Sequence, residues 1–149
     1  MPDPRVILVL GAGVATGSAV ARRFAREGFV ACVARRQGEK LADFVAEIEG
    51  MGGEAHAFSC DATDPASVAA LVTEVESRVG PIEVACYNAA VGVRASITEL
   101  DPADYERVWR INAFGAFLFG QQVSRRMLER GRGTILFTGA TSATRGLSG

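Results

Sequence analysis

The sequence has 149 residues and lacks several features that particular functions require. Its formal net charge is −1 at pH 7 and it has no strongly basic segment, so we expect no nucleic-acid partner. It contains no apolar run long enough to cross a bilayer, so we expect no membrane partner. With 48% hydrophobic and 22% charged residues, the composition is typical of a soluble globular domain.

Cysteine and histidine are also scarce. Cys32, Cys60 and Cys86 are widely spaced in apolar segments, a pattern that fits neither a disulfide framework nor a metal site. We interpret them as small buried thiols in a reducing, cytoplasmic environment, and we predict no bound metal. His56 is the only histidine, and its place beside a predicted strand favours a surface residue over a catalyst.

The N-terminal segment allows two interpretations. Arg5, the apolar residues 6–10 and the small residues 19–21 superficially resemble a secretory signal. The apolar part is short, β-branched and followed by glycines, which favours a buried first strand. A cytoplasmic protein is therefore the prediction.

Predicted strands and helices alternate along the whole chain. The second helix has an apolar stripe that includes Phe44 and Ile48, and Asp64 with Pro65 begins the third helix. Asp101 opens a long helix that extends to about Arg130. The strands are predicted at residues 6–10, 29–34, 54–59, 82–87 and 134–138. This alternation predicts one α/β domain over residues 1–149, a doubly wound parallel sheet of about five strands.

A glycine-rich turn, GAGVATG, connects the first strand to the first helix. Such a turn directs backbone amides and the positive end of a helix toward a phosphate. Alternatively, the glycines only permit a tight turn and close packing. We favour a nucleotide site of the Rossmann type, because the turn follows a strand and begins a strand–helix–strand unit. The residues predicted to bind the nucleotide here are Gly11, Gly13, Val14, Ala15, Thr16 and Gly17.

The cofactor preference is predicted from the end of the second strand. Folds that bind NAD commonly carry an acidic residue there, which binds the ribose hydroxyls. This chain has Arg35 and Arg36 instead, and two guanidinium groups suit a 2′-phosphate. The alternative is a solvated basic pair in a loop. We favour NADP over NAD as the cofactor.

Five motifs in register resemble the short-chain dehydrogenase/reductase family. They are LGAGVATG, CDATD, YNAA, WRINAFGAF and GTILFTGAT. The resemblance implies that Asp61 and Ala62 contact the adenine side of the cofactor. It further implies that Asn88, Ala89 and Ala90 lie beside the cofactor. Asn112 corresponds to the asparagine of the family's catalytic tetrad.

Several positions depart from the family pattern. Leu10 replaces a threonine, and Ala15 replaces the middle glycine, which adds a methyl group near the expected pyrophosphate. Tyr87 and Ala90 differ from the family's N-N-A-G. An alanine can be tolerated at position 15, but its methyl group is expected to weaken or shift binding of the pyrophosphate.

The catalytic serine of the family is replaced too. Ala140 occupies its position, with Thr141 and Ser142 directly after it. A hydroxyl near the substrate carbonyl is what the chemistry needs, so Thr141 is our candidate catalytic residue. The alternative is an ordinary polar loop.

The family's Tyr-x-x-x-Lys motif has no match in residues 1–149. Val91 and Trp109 stand four residues after the two tyrosines, and Lys40 is the only lysine. The resemblance places this motif just past residue 149, so we expect the 149-residue chain alone to be inactive.

Three functions are therefore considered. The favoured one is an NADP-dependent oxidoreductase that transfers hydride between NADP(H) and a small-molecule carbonyl or alcohol. The second is a non-catalytic nucleotide-binding or interaction module. A Rossmann-like methyltransferase is less favoured, because Arg35 stands where such enzymes usually have an acid. The middle of the helix at residues 102–130 is apolar on nearly all sides, which predicts burial either in the core or against another subunit. The resembled family commonly dimerises through this helix, so we expect a homo-oligomer.

Overall fold

The computed structural model describes residues 4–145, which form one parallel sheet of five strands in the order β3-β2-β1-β4-β5. The strands are β1 (Val6–Leu10), β2 (Val30–Arg35), β3 (Ala55–Ser59), β4 (Ile82–Tyr87) and β5 (Thr134–Phe137). The α-helices are α1 (Thr16–Arg26), α2 (Ala42–Gly50), α3 (Pro65–Arg78), α4 (Pro102–Trp109) and α5 (Gly115–Arg130). The predicted α/β fold is confirmed.

The central strand β1 is buried on both faces, which explains its unbroken run of apolar residues. Ile7 and Val9 pack with residues of α1 and α2 on one face of the sheet. Leu8 and Leu10 pack with residues of α3 and α5 on the other. Because β1 lies between β2 and β4, chain segments leave the sheet in opposite directions on its two sides.

Two helices begin as their sequences predict. Asp64 caps α3 by accepting a hydrogen bond from the Ala66 amide at 3.1 Å. Asp101 caps α4 by accepting one from the Ala103 amide at 2.7 Å. In each case a proline occupies the first turn, where its missing N–H is not needed.

The predicted continuous helix over residues 102–130 is interrupted. Residues Arg110–Phe114 form a π-helical segment between α4 and α5. The Gly115 amide donates to the Arg110 carbonyl, five residues back, rather than four. The hydroxyl of Tyr87 donates to the Ile111 carbonyl inside this segment. A contact from a distant strand thus accompanies the change of helix type, and the local pattern gives no sign of it.

In the described residues β5 pairs with β4 alone and so forms one edge of the sheet. Ile135 packs against the core shared with α3 and α5, whereas Leu136 and Phe137 are largely exposed. No helix of residues 4–145 has both the length and the hydropathy needed to span a bilayer.

Candidate functional site

A cavity of about 1070 Å³ opens at the carboxyl ends of β1, β2, β3 and β4. Strand order reverses beside β1, and in parallel sheets such a switch point leaves a crevice for ligands. All the residues predicted to bind a cofactor line this cavity: Gly11, Gly13, Val14, Ala15, Thr16, Gly17, Arg35, Arg36, Asp61, Ala62, Asn88, Ala89 and Ala90. The structure therefore brings together the four loops on which the sequence analysis drew.

The three glycines of the turn have different structural roles. Gly11 has φ of 98°, and a Cβ on it would collide with the backbone nitrogen of Ala89. A Cβ on Gly17 would lie 2.5 Å from the Gly11 carbonyl oxygen. By contrast, among residues 4–145 no atom lies within 4 Å of a Cβ built on Gly13, apart from its chain neighbours. Packing explains Gly11 and Gly17, whereas Gly13 leaves open space beside the cavity.

The middle of the glycine turn lines the cavity. Val14, Ala15 and Thr16 are exposed, and α1 begins at Thr16. Ala15 stands at the N-cap, where its methyl group cannot accept a bond from the first amides of α1. The hydroxyl of Ser18 donates to the Gly13 carbonyl and holds the turn from below.

Asn88 fastens the end of β4 to the glycine turn. Its backbone amide donates to the Leu10 carbonyl at 2.8 Å, and its side-chain Nδ2 donates to the Gly11 carbonyl at 2.9 Å. The side chain therefore bridges two segments 77 positions apart in the sequence. This contact keeps two walls of the cavity in fixed relation.

The wall after β2 and β3 carries both signs of charge. Arg35 is half-buried as the last residue of β2, and Arg36 is exposed beside it. Oδ1 of Asp61 accepts bonds from the Thr63 amide at 2.9 Å and the Thr63 hydroxyl at 2.8 Å. These hydrogen bonds, together with the charge of Arg36, hold the pKa of Asp61 below its usual value. Asp61 is thus a fixed anion next to the arginine pair.

One wall of the cavity was not predicted from the sequence. It comes from α4 and the start of the π segment: Ala103, Glu106, Arg107, Arg110 and Ile111. Arg110 pairs with Glu106 at 2.9 Å, and Arg107 pairs with Asp104 at 3.0 Å. Their spacing of three, four, seven and eight residues places them on one helix face, a signal that could have been found. Because Arg107 and Arg110 are paired with acidic residues nearby, their sequence pattern is that of an ordinary solvated helix face and does not indicate a cavity wall.

The two candidate catalytic residues lie outside the cavity wall. Asn112 is in the π segment, and its side-chain amide bonds both backbone groups of Val91, each at 2.9 Å. Thr141 begins a short 3₁₀ turn, Thr141–Ala143, and is exposed. Their proposed catalytic roles remain predictions.

Two further ionisable side chains near the cavity are buried, and burial keeps them in their neutral forms. Tyr87 is buried, and burial raises its pKa to about 12. Cys60, which lines the cavity, is buried, and burial raises the pKa of its thiol. Within residues 4–145 no group of three or more histidine, cysteine, aspartate or glutamate side chains could hold a metal ion.

Comparison with known proteins agrees with this geometry. D-threitol dehydrogenase of Mycolicibacterium smegmatis is 34% identical over 95% of this chain and 55% of its own length. The 2,3-dihydro-2,3-dihydroxybenzoate dehydrogenase of Bacillus subtilis is 29% identical over 95% of this chain and 54% of its own. The chain thus spans about half the length of the curated relatives it matches.

Solved structures share the fold of this chain. A short-chain dehydrogenase from Rhodopseudomonas palustris superposes with a TM-score of 0.92 at 39% identity, over 99% of this chain and 69% of that one. A variant of actinorhodin polyketide ketoreductase, solved with NADPH, gives 0.89 at 32% identity over 97% and 56%. The family model for short chain dehydrogenases matches residues 5–149. With its switch-point cavity and this match over nearly the whole sequence, the chain belongs to the short-chain dehydrogenase family.

Proposed function

We propose that the cavity binds NADP(H), with the diphosphate on the turn from Gly11 to Gly17 and the 2′-phosphate at Arg35 and Arg36. One observation carries the proposal: a turn with open space at Gly13 and an arginine pair line the same cavity. The exposed start of α1 supplies amides and a partial positive charge for a phosphate. Guanidinium groups bind phosphate by charge-assisted hydrogen bonds.

The loops after β3 and β4 would contact the other parts of the cofactor. Asp61 and Ala62 flank the adenine, and Asn88, Ala89 and Ala90 flank the ribose and nicotinamide side. The second oxygen of the Asp61 carboxylate can accept a bond from an exocyclic amine, since Oδ1 already serves Thr63. The relative solved with NADPH supports a phosphorylated cofactor by analogy only.

For the whole protein we propose an oxidoreductase that acts on a small-molecule carbonyl or alcohol. NADP(H), when bound, supplies or accepts the hydride. The proton must come from a group held near the substrate oxygen. Asn112 would support that transfer and the Thr141 hydroxyl would face the carbonyl. The three free, buried cysteines support a reducing, cytoplasmic setting.

A second candidate is a nucleotide-binding module without turnover. Its support is that the buried hydroxyl of Tyr87 already donates to the Ile111 carbonyl. In addition, the side-chain amide of Asn112 already bonds both backbone groups of Val91. Nucleotide binding is expected under both proposals. Turnover of a carbonyl or alcohol substrate with NADP(H) favours the oxidoreductase, and binding without turnover favours the module.

Calorimetric titration of the chain with NADPH and with NADH tests the binding proposal. We expect NADPH to bind about tenfold or more tightly, since a hydrogen bond to a charged group contributes about 1.5–3 kcal/mol. NADPH should also raise the unfolding temperature more than NADH does. Equal affinities would contradict the role of the arginine pair. The absence of heat with either nucleotide would contradict the nucleotide site itself.

We also propose that the chain forms a homodimer through α4 and α5. Trp109, Phe114 and Phe117 stack in sequence, with ring centroids 5.5 and 6.5 Å apart. Trp109 is 46% exposed and Phe117 is 57% exposed, so the ladder forms an apolar surface patch.

Light scattering of Phe117→Glu tests the dimer. The unmodified chain should have the mass of two copies at micromolar concentration, and the variant should have the mass of one. A buried charge without a partner disfavours association strongly. Met51→Glu is the matched control, because Met51 is also half-exposed but lies at the end of α2. A monomeric unmodified chain would contradict the proposal.

A further inference from the structure

We propose that Tyr87 is a positioning residue, whose hydroxyl supports the π segment and thereby fixes the Val91 wall of the cavity. Tyr87 is the last residue of β4 and only 3% exposed. Its ring packs against Phe119 with centroids 5.7 Å apart. The hydroxyl donates to the Ile111 carbonyl, 24 positions later in the chain.

The π segment creates the acceptor that Tyr87 uses. In an α-helix the Gly115 amide would donate to the Ile111 carbonyl, four residues back. Here that amide donates to the Arg110 carbonyl instead. The Ile111 carbonyl accepts from the Tyr87 hydroxyl in a part-buried position, where losing a donor costs free energy. The phenol therefore stabilises the π form over the α form.

Gly115 leaves the space that the Tyr87 hydroxyl occupies. A Cβ on Gly115 would collide with the Tyr87 hydroxyl and would lie 2.8 Å from the Ala62 carbonyl oxygen. Gly115 has ordinary helical φ and ψ of −61° and −40°, so no backbone conformation demands glycine there. The Tyr87 hydroxyl and the Ala62 carbonyl together leave no room for a side chain at this position. A large residue at 87 and the absence of a side chain at 115 thus form one fitted pair.

The hydroxyl is connected to the cavity in two short steps. Ile111, whose carbonyl it holds, lines the cavity. The next residue, Asn112, bonds the amide and the carbonyl of Val91, which also lines the cavity. A return from π to α geometry would rotate the residues on one side of the segment by about 100° relative to the other. Asn112 could not then keep both bonds to Val91.

Tyr87→Phe tests the proposal by site-resolved amide hydrogen exchange. We expect the Val91 amide to exchange about tenfold faster in the variant, relative to the amides of β1, because its partner Asn112 is no longer held. Tyr105→Phe is the matched control, since Tyr105 is largely exposed on α4 and should leave exchange unchanged. A uniform increase over all protected amides would overturn the proposal, because it would show a general stabilising role.

A second variant approaches the same contact from the other side. Gly115→Ala should displace the Tyr87 hydroxyl and accelerate Val91 exchange as Tyr87→Phe does. When it is combined with Tyr87→Phe, the same alanine should add less than it does alone, because the colliding hydroxyl is absent. Strictly additive effects would overturn the fitted pair.

The consequence for ligand affinity rests on the proposed function. If NADPH binds the unmodified chain, Tyr87→Phe should weaken it several-fold while Tyr105→Phe does not. An unchanged affinity would overturn the link to the cavity. If NADPH does not bind the unmodified chain, the proposed function fails, whereas the exchange experiment still decides the role of Tyr87.

Discussion

Gly11→Ala should lower the free energy of unfolding by about 3 kcal/mol or more, whereas Gly13→Ala should leave the fold intact. Gly11 has φ of 98°, and an L-residue in the left-handed region costs roughly 1–2 kcal/mol. Its Cβ would also collide with the Ala89 backbone, and overpacking costs about 1–3 kcal/mol more. Because small domains are stable by only about 5–15 kcal/mol, this is a large share of the total.

Gly13→Ala should instead affect the ligand. Its methyl group would occupy the open space beside the cavity, next to the turn on which we place the diphosphate. We expect NADPH affinity to fall about tenfold or more, which corresponds to about 1.4 kcal/mol. The two alanine variants therefore separate the packing role of the turn from its binding role.

Urea unfolding and NADPH titration of both variants would measure these effects. Gly50→Ala is the control, because Gly50 ends α2, away from the cavity, and a Cβ there meets open space. If Gly11→Ala is as stable as Gly50→Ala, the positive φ and the close packing against Ala89 described for Gly11 are contradicted. If Gly13→Ala binds NADPH as the unmodified chain does, the diphosphate does not lie on this turn.

Replacing Arg35 and Arg36 together by alanine should abolish the preference for the phosphorylated cofactor. We expect NADPH affinity to fall about 100-fold, since two charge-assisted contacts are removed. NADH lacks the 2′-phosphate, so its affinity should change by less than about threefold. The double variant should unfold at nearly the same urea concentration, because Arg36 is exposed and Arg35 only half-buried.

A matched double variant controls for net charge. Arg23→Ala with Arg26→Ala removes two exposed positive charges from the last turns of α1. It should reduce NADPH affinity only slightly, and less so at high salt, because distant charges are screened. If both double variants weaken NADPH equally, the effect is one of overall charge. If the Arg35 and Arg36 variant weakens NADH as much as NADPH, the 2′-phosphate role is wrong.

The sheet was predictable because its signals are local. β1 and β4 have the predicted bounds, since β1 is an apolar run, β4 is apolar apart from Glu83, and a glycine or a polar residue follows each. Asp64 and Asp101 each precede a proline, and both begin helices as predicted. Such signals operate within a few residues, so neither long-range contacts nor solvent exposure can hide them.

The π segment and the α4 wall were not predictable, because their causes are distant in the sequence. The residues Arg110–Phe114 have the pattern of an ordinary helix, and the contacts that accompany their π geometry come from Tyr87 and Val91, about twenty positions earlier in the chain. Arg107 and Arg110 each have an acidic partner on the same helix, so nothing local marks them as facing a cavity. For Asn112, the resemblance implied catalysis, but the structure adds a bond to Val91 that sequence patterns cannot contain.

The cavity is assembled from segments that follow four different strands, while the central strands β1 and β2 are packed on both faces. Substitutions in the loops that line the cavity are therefore largely independent of the packing of the buried strands. Substitutions in the connecting segments can redirect which molecule is accommodated at small cost in folding, whereas the interior tolerates few changes of volume. An architecture of this kind can diversify chemically for a long time without being rebuilt.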